Sequence, residues 1–421
     1  MDCFEIQGGN RLRGRTRVKG AKNAALPILA AALLGEGPST IRDVPHLADI
    51  QAMSELLVAL GAKVSHDKTG KMQIHVVDES NSHAEYERVR KMRASICVLG
   101  PLLAKRRTAR VAMPGGCAIG SRPINLHLRG LRALGAEIEL EGGDIVATAK
   151  RLRGTEIFLG GPFGSTVLGT ANVMMAATLA KGRTIIEHAA CEPELADLAA
   201  FLNAMGARIE GAGTHRIVIE GVEQLAGCEH TVIPDRIEAG TLMIGAAITN
   251  GEVTLENVNL DHMMAAAEKL REIGVTVEAD DGNVTVSSSR RLEPTDVTTY
   301  PHPGFPTDLQ AQLMTLLCLA DGNSAITEKV FPDRFMHVPE LLRMGADIRK
   351  EGPVAIVTGV KRLIGAPVMA SDLRASAALV LAGLVARGTT IVNRVYHIDR
   401  GYENIEQRLA ELGAEIKRVN V

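Results

Sequence analysis

The chain has 421 residues, a length that favours two or three domains over a single core, and 46% of them are hydrophobic, enough to fill those domains. Its 47 lysines and arginines nearly balance 49 aspartates and glutamates, so the bulk charge leaves no electrostatic footprint for a nucleic acid. With no tryptophan and 4 tyrosines it also lacks the material for base-stacking platforms or a membrane aromatic belt, and its core must be aliphatic.

The opening MDCFEIQGG has no charged segment followed by an apolar one, so no secretory signal is expected. The longest apolar run, Ala375 to Ala386 between Arg374 and Arg387, falls well short of the ~20 residues a spanning helix needs. A cytoplasmic protein without a membrane partner is predicted. The six cysteines (Cys3, Cys97, Cys117, Cys191, Cys228, Cys318) form no C-x-x-C pair and have no nearby histidine at ligand spacing. This disfavours zinc and disulfides alike, and no metal is expected. Five of the six sit in apolar, helix-like or strand-like contexts that predict small buried hydrophobes. Cys117 is the exception.

In chain order, the first segment FEIQGGNRLRG is like IVIEGVEQLAG and IVTGVKRLIG further on, so the chain begins in the middle of a repeat. Six amphipathic helices follow, each closed by an apolar residue, a glycine and a short alternating strand: LGAKV, LGAEI, MGARI, IGVTV, MGADI and LGAEI. Their glycines, at 61, 135, 206, 274, 345 and 413, lie 74, 71, 68, 71 and 68 apart, so each unit spans about 70 residues. A second helix precedes each of these, turning into a strand at Gly37, Gly182, Gly251, Gly322 and Gly388. The fold predicted is α/β, with six βαβα-type repeats. The first ~20 residues complete the last repeat, closing three repeats into each of two domains: 22–232, and 1–21 plus 233–421.

The second repeat is different. Arg107 stands in its glycine place, and the distance to the next repeat glycine is 28 residues, against 23 to 25 elsewhere. The extra residues fall in PGGCAIGSRP, from Pro114 to Pro123, and insertions on a scaffold tend to carry function. A thiol at Cys117 with Arg122 close by would have its pKa lowered and serve as nucleophile or proton donor. His127 and His397 read more simply as packed imidazoles than as its partners.

The first helix of each repeat begins at GAKNAALPI, KMRASICVL, STVLGTANV, PDRIEAGTL, FPTDLQAQL or ASDLRASAAL. Such ends suit anions. Asp308 and Asp372 are read at their simplest as ordinary N-terminal carboxylates. Lys22, beside Asn23, opposes the helix dipole, which suggests an anion that compensates it. Arg122, Arg334 and Arg400 stand in loop-like contexts, either as solvated surface charge or, with Lys22, as a clamp for carboxylate or phosphate.

GAKNAALPILAAALL, MRASICVLGPLLA, PGGCAIGSRP, FPTDLQAQ, RFMHVPEL, DLRASAALVLAG and YHIDRGYE together resemble the enolpyruvyl transferase family along essentially the whole chain. The resemblance implies two inside-out α/β barrel domains, each with threefold internal symmetry. Within the family it points to members that transfer the enolpyruvyl group of phosphoenolpyruvate to the 3-hydroxyl of UDP-N-acetylglucosamine and release phosphate. That is the first committed step toward peptidoglycan, and so serves cell-wall growth, cell shape and division.

The same resemblance implies roles for single residues. Cys117 would be the proton donor and could carry a covalent phosphoenolpyruvate adduct, and Asp308 would accept or orient the proton of the sugar hydroxyl. Lys22, Arg122 and Arg400 would hold phosphoenolpyruvate, with Asn23 on the tetrahedral intermediate. Arg93, Arg122, Pro123, Ile124, Asn125, Leu126, Thr166, Val167, Asp308 and Val330 would line the UDP-sugar site. Arg334, Asp372 and Arg374 would support domain closure, with the Cys117 loop as a lid. No cofactor, metal or nucleic acid is implied, and nothing in the sequence sets an oligomeric state.

Two positions depart from the family pattern. Asn125 stands in RPINLH where an aspartate is usual, and Thr166, Val167 and Leu168 replace a common Ser-Val-Gly. Three rivals stand beside this reading: the sister synthase that acts on shikimate 3-phosphate, a catalytically inactive paralogue that binds UDP-sugar, and a non-enzymatic repeat scaffold such as a nucleic-acid clamp. The inserted loop speaks against the first, the set Lys22, Cys117, Asp308 and Arg400 against the second, and the near-neutral charge against the third.

Overall fold

The computed structural model describes residues 2–114, 123–289 and 291–420. Among them the chain divides into two compact units, one of residues 20–114 and 123–233, the other of 2–19 and 234–420. Each unit has its own aliphatic core.

The repeat is visible six times as a four-stranded sheet with one strand order. In the third repeat Glu156–Phe158 pairs parallel with Arg183–Glu187. The latter pairs antiparallel with Arg216–Glu220, which in turn pairs with Arg208–Glu210. One helix lies between the first two strands in chain order, Val167–Ala177, and another before the hairpin, Pro193–Ala204. The complete repeat is therefore β-α-β-α-β-β, two strands longer than the βαβα unit read from the sequence.

Each unit closes on its own chain. In one, Glu229–Thr231 pairs parallel with Ser39–Arg42, joining the end of that stretch to its beginning. In the other, Arg13–Arg17 pairs with Glu252–Glu256, and Asp2–Gln7 inserts between Thr389–Asn393 and Glu415–Asn420. Asp2–Gln7 thus completes the last sheet, as its likeness to later strands predicts, whereas Arg13–Arg17, expected in the same repeat, belongs to the sheet of the fourth. A buried carboxylate fixes this segment: Glu238 Oε2 accepts from the Lys19 amide at 2.9 Å, and Arg408, paired to the same carboxylate, donates to the Arg17 carbonyl at 2.8 Å.

The first helices of the repeats are the interior. Gln310–Leu317 is buried at every residue, and Arg236–Ile248 at all but its first. A helix apolar all round has to be enclosed. Within each unit the three first helices pack on one another, and the sheets lie outside them with alternating half-buried faces. This is the inside-out α/β arrangement. The six sheets remain separate ladders and do not join into a closed strand barrel.

The glycines that end the second helices, Gly61, Gly135, Gly206, Gly274, Gly345 and Gly413, all have positive φ, between 86° and 107°. That is the left-handed C-terminal position glycine takes at least cost. Arg107 takes the same conformation at φ 61°, as the glycine spacing predicts. In the fourth repeat it is Asn250, at φ 50°, and not Gly251. No helix among the described residues is long and apolar enough to cross a membrane.

Candidate active site

In the unit of residues 2–19 and 234–420, the sequence Phe305–Gln312 forms a 3-10 turn, Thr307–Leu309, that runs into the helix Gln310–Leu317. Asp308 sits in that turn. As an acidic residue in that first turn it has the place its simplest reading gives it, and its carboxylate in addition faces two guanidinium groups. Arg334 Nη1 donates to Asp308 Oδ1 at 2.7 Å, and Arg374 Nη2 donates to Oδ2 at 3.0 Å. Three residues scattered over 66 positions of sequence are thereby brought to one point.

Both arginines are buried, Arg334 to 7% and Arg374 to 2% exposure. Burial works against the charge of Arg374, but the carboxylates of Asp308 and Asp235 outweigh this and hold the guanidinium protonated. Its Cζ lies 5.3 Å from the Tyr402 ring centroid. Its Nε and Nη1 are buried without a hydrogen-bond partner among the described residues.

Asp372 is a true helix cap. Its Oδ1 accepts from the amides of Arg374 at 2.8 Å and Ala375 at 3.2 Å, so it fixes the helix Leu373–Val385 that carries Arg374. Its simpler reading is the one observed.

A polar shell missed in the sequence surrounds this point. Gln312 Nε2 donates to the Asp308 carbonyl at 2.9 Å and lies 3.1 Å from Thr241 Oγ1. Thr241 gives its own hydrogen to the Ile237 carbonyl at 2.8 Å, so the Tyr402 hydroxyl is the donor in its 2.8 Å contact with Thr241. Burial pushes the Tyr402 phenol up, keeping it neutral and a donor. Thr307 and Gln312 lie within FPTDLQAQ and Tyr402 at the end of YHIDRGYE, so motif membership was the available signal. Val330 donates its amide to Glu328 Oε1 at 2.9 Å, and Arg400 ends the 3-10 turn Val395–Arg400. His397, in the same turn, has its pKa lowered by burial and by Arg400, as suits a packed imidazole.

In the unit of residues 20–114 and 123–233, Lys22 opens the helix Lys22–Ala31, followed by half-buried Asn23. The anion its dipole-opposing charge calls for is the protein's own Asp49, whose Oδ2 lies 3.1 Å from Lys22 Nζ with both side chains buried. Asp49 sits in the first turn of Ala48–Ala59, where a carboxylate favours the helix dipole. It was not singled out in the sequence.

Arg93 starts the 3-10 turn Arg93–Val98, and Thr166 caps Val167–Ala177, its hydroxyl accepting from the Gly169 amide at 3.2 Å. Pro123 and Ile124 lead into Asn125–Ala133, with Asn125 exposed and Leu126 half-buried. His127 is buried, its Nδ1 2.9 Å from Asn172 Nδ2. Cys117 and Arg122 lie outside the described residues. The five described cysteines are free, and burial pushes their thiols up where a shift is resolved, Cys97 and Cys318 to about 12 and Cys228 to about 11. Four of them are buried, as expected, and Cys228 is half-buried. No group of metal-ligating side chains occurs among the described residues.

The chain matches the family of EPSP synthase (3-phosphoshikimate 1-carboxyvinyltransferase) over residues 6–409, and it belongs to this family, the enolpyruvyl transferases. The similarity is most detailed to one branch. The chain is 54% identical over 420 residues to the UDP-N-acetylglucosamine 1-carboxyvinyltransferase of Methylacidiphilum infernorum, covering 100% of this chain and 99% of that one. It is 56% identical over 422 residues to UDP-N-acetylglucosamine 1-carboxyvinyltransferase 2 of Carboxydothermus hydrogenoformans, covering 100% of both. Among solved structures, the enolpyruvyl transferase NikO from Streptomyces tendae aligns with a TM-score of 0.90 at 26% identity, over 100% of this chain and 99% of that one.

Proposed function

We propose that this protein is a transferase that moves the enolpyruvyl group of phosphoenolpyruvate to the 3-hydroxyl of UDP-N-acetylglucosamine, releasing phosphate. The observation that carries the reading is identity of 54–56% along the full length to relatives named for that reaction. Chemically, protonation of the methylene carbon makes its neighbour electrophilic, the sugar oxygen adds, and phosphate leaves a tetrahedral intermediate. The steps require an acid, a base and cationic donors.

Asp308 is the group we assign to the sugar hydroxyl. Two arginines that hold it ionised keep it an acceptor. Asp372 keeps Arg374 in place. To Cys117 we assign protonation of the methylene carbon, with the PGGCAIGSRP segment delivering the thiol. Lys22, Asn23, Arg122 and Arg400 are assigned to phosphoenolpyruvate. Arg93, Pro123 to Leu126, Thr166, Val167 and Val330 are assigned to the UDP-sugar. Exposed Asn125 and helix-capping Thr166 are consistent with contacts to a nucleotide that do not depend on a carboxylate at 125. Free, unpaired thiols among the described residues suit a reducing compartment, and we place the activity in the cytoplasm, at the start of peptidoglycan synthesis.

Phosphate release from phosphoenolpyruvate should require UDP-N-acetylglucosamine. Release with shikimate 3-phosphate in its place would overturn the assignment, and absence of release with either acceptor would favour the inactive paralogue. Cys117→Ala should abolish turnover and alkylation at that position while the circular dichroism spectrum stays unchanged.

A further inference from the structure

Glu328 follows the strand Asn323–Thr327 and is wholly buried, at 0% exposure. Four donors meet its carboxylate. Thr299 Oγ1 at 2.6 Å and the amides of Val330 and Phe331, both at 2.9 Å, donate to Oε1, and Thr307 Oγ1 donates to Oε2 at 2.8 Å. All four are neutral groups. Burying an anion among neutral donors costs more than burying a glutamine that could accept most of the same hydrogens, so tying down a strand end does not by itself explain the charge.

The hydrogen-bond directions supply a use for it. A carboxylate only accepts, so Thr307 must give it the hydroxyl hydrogen, and the Thr307 oxygen is left to accept. What it accepts is Arg334 Nη1, at 3.1 Å, from the same nitrogen that holds Asp308 at 2.7 Å. Hydrogens therefore run from Arg334 in two directions, through Thr307 to the buried Glu328 on one side and to Asp308 on the other, so the polarity of the Thr307 arm is set at its buried end. The other arm of the carboxylate fixes the backbone of Phe331 and of Val330, the residue assigned above to the UDP-sugar.

We propose that Glu328 is a positioning residue for the acceptor half of the reaction, orienting the Val330–Phe331 backbone directly and the Arg334–Asp308 pair through Thr307. The inference rests on the functional reading above. A glutamine at this position would present an N–H to Thr307, oppose the polarity of that arm and remove the negative charge behind Arg334. The Val330 and Phe331 amides would still find an oxygen. The two arms can therefore be separated by mutation.

The test is steady-state phosphate release on wild type, Glu328→Gln and Thr307→Val, with each substrate varied in turn and thermal unfolding followed in parallel. A wild type that releases no phosphate with UDP-N-acetylglucosamine defeats the functional reading itself, independently of Glu328. Given an active wild type, Glu328→Gln should lower kcat about tenfold and raise KM for UDP-N-acetylglucosamine severalfold, with KM for phosphoenolpyruvate unchanged. Thr307→Val, which cuts one arm alone, should lower kcat to a similar extent and leave both KM values within about twofold of wild type. Wild-type kinetics in Glu328→Gln would overturn the proposal. So would parallel weakening of both substrates together with a lowered unfolding temperature, the mark of a purely structural role. If Glu328→Gln does not fold, Thr307→Val decides, and an unchanged kcat in that variant overturns the proposal.

Discussion

The two units share one scaffold but centre it on different chemistry. In the unit of residues 2–19 and 234–420 the polar centre is ionic: Asp308 between Arg334 and Arg374, with Glu328 behind one arginine and Tyr402 against the other. The unit of residues 20–114 and 123–233 has a buried lysine–carboxylate pair among its described residues, Lys22 with Asp49, and its knot between the helices around Asn172 is neutral. Asn172 accepts from the Gly100 amide at 2.8 Å and donates to the Ile96 carbonyl at 2.9 Å, with His127 Nδ1 also 2.9 Å from its amide nitrogen. A satisfied neutral knot ties elements together at little electrostatic cost. A buried ionic cluster with unmatched guanidinium donors is poor value for stability, and its presence marks the place where charge is used.

The largest expected effect tests that contrast directly. Asp308→Ala should lower turnover by roughly 10²- to 10⁴-fold, the range for loss of a positioned proton acceptor. It should also lower stability by about 3–5 kcal/mol, because two buried guanidinium groups lose their counter-charge. Phosphate release and urea unfolding measure the two separately; a variant with normal turnover would mean that the arginine clamp is only structural. On the neutral side, Asn172→Ala strands the Gly100 amide, at about 1–3 kcal/mol for such groups, while the Ile96 carbonyl keeps its bond from the Leu99 amide. Its kcat per folded molecule should stay within about twofold of wild type. A selective fall in kcat at full stability would erase the distinction between the centres.

A third effect, of similar size to that of the stranded amide, depends on pH. His337 is buried with its Nε2 3.2 Å from Met314 Sδ, and burial pulls its pKa down to about 4, with Arg334 adding to the shift and Asp372 opposing it. Between pH 6.5 and 4 the unfolded chain binds a proton that the folded one refuses, so stability falls as pH falls through this window. The full difference is roughly 3 kcal/mol below pH 4. Urea midpoints at several pH values should drop more steeply in wild type than in His337→Gln; parallel curves would show that the imidazole protonates in place.

What the sequence disclosed follows from how local each feature is. The left-handed glycines that end the second helices are set by one residue's φ, so spacing alone located them, and the likeness of FEIQGG to later strands located the strand that completes the last sheet. The partners of the charged residues are set by packing. Asp49 is 27 positions from Lys22, and Glu328 is 21 from Thr307, with no period linking either pair. Lys22 shows the limit well, since its charge did call for an anion, and only the fold could say that one such anion, Asp49, is internal. Asp308 shows the same limit: its place at a helix start was legible, but that two arginines meet its carboxylate depended on residues 26 and 66 positions away.

The smallest expected effect concerns the one repeat that lacks its glycine. Arg107 ends the helix Leu99–Arg106 at φ 61° and ψ 1°, its amide donating to the Leu103 carbonyl at 3.0 Å and its carbonyl accepting from Ala149 at 3.0 Å. Gly37, Gly182, Gly322 and Gly388 hold the corresponding place with φ between 91° and 147°, without the Cβ crowding that makes this region costly for arginine. The Arg107 side chain is exposed, so replacing it sacrifices little packing. Arg107→Gly should therefore stabilise the protein by about 0.5–1 kcal/mol, and Arg107→Val should destabilise it by a similar amount or more. The sign of the difference in urea midpoint decides the matter. A stabilised and fully active glycine variant would mean that the strain before the inserted segment is incidental, whereas a stabilised variant with lower kcat would tie that helix end to the working of the second repeat. Either result sharpens the contrast between units, because the ionic centre predicts that Arg107→Gly leaves the Asp308 chemistry untouched.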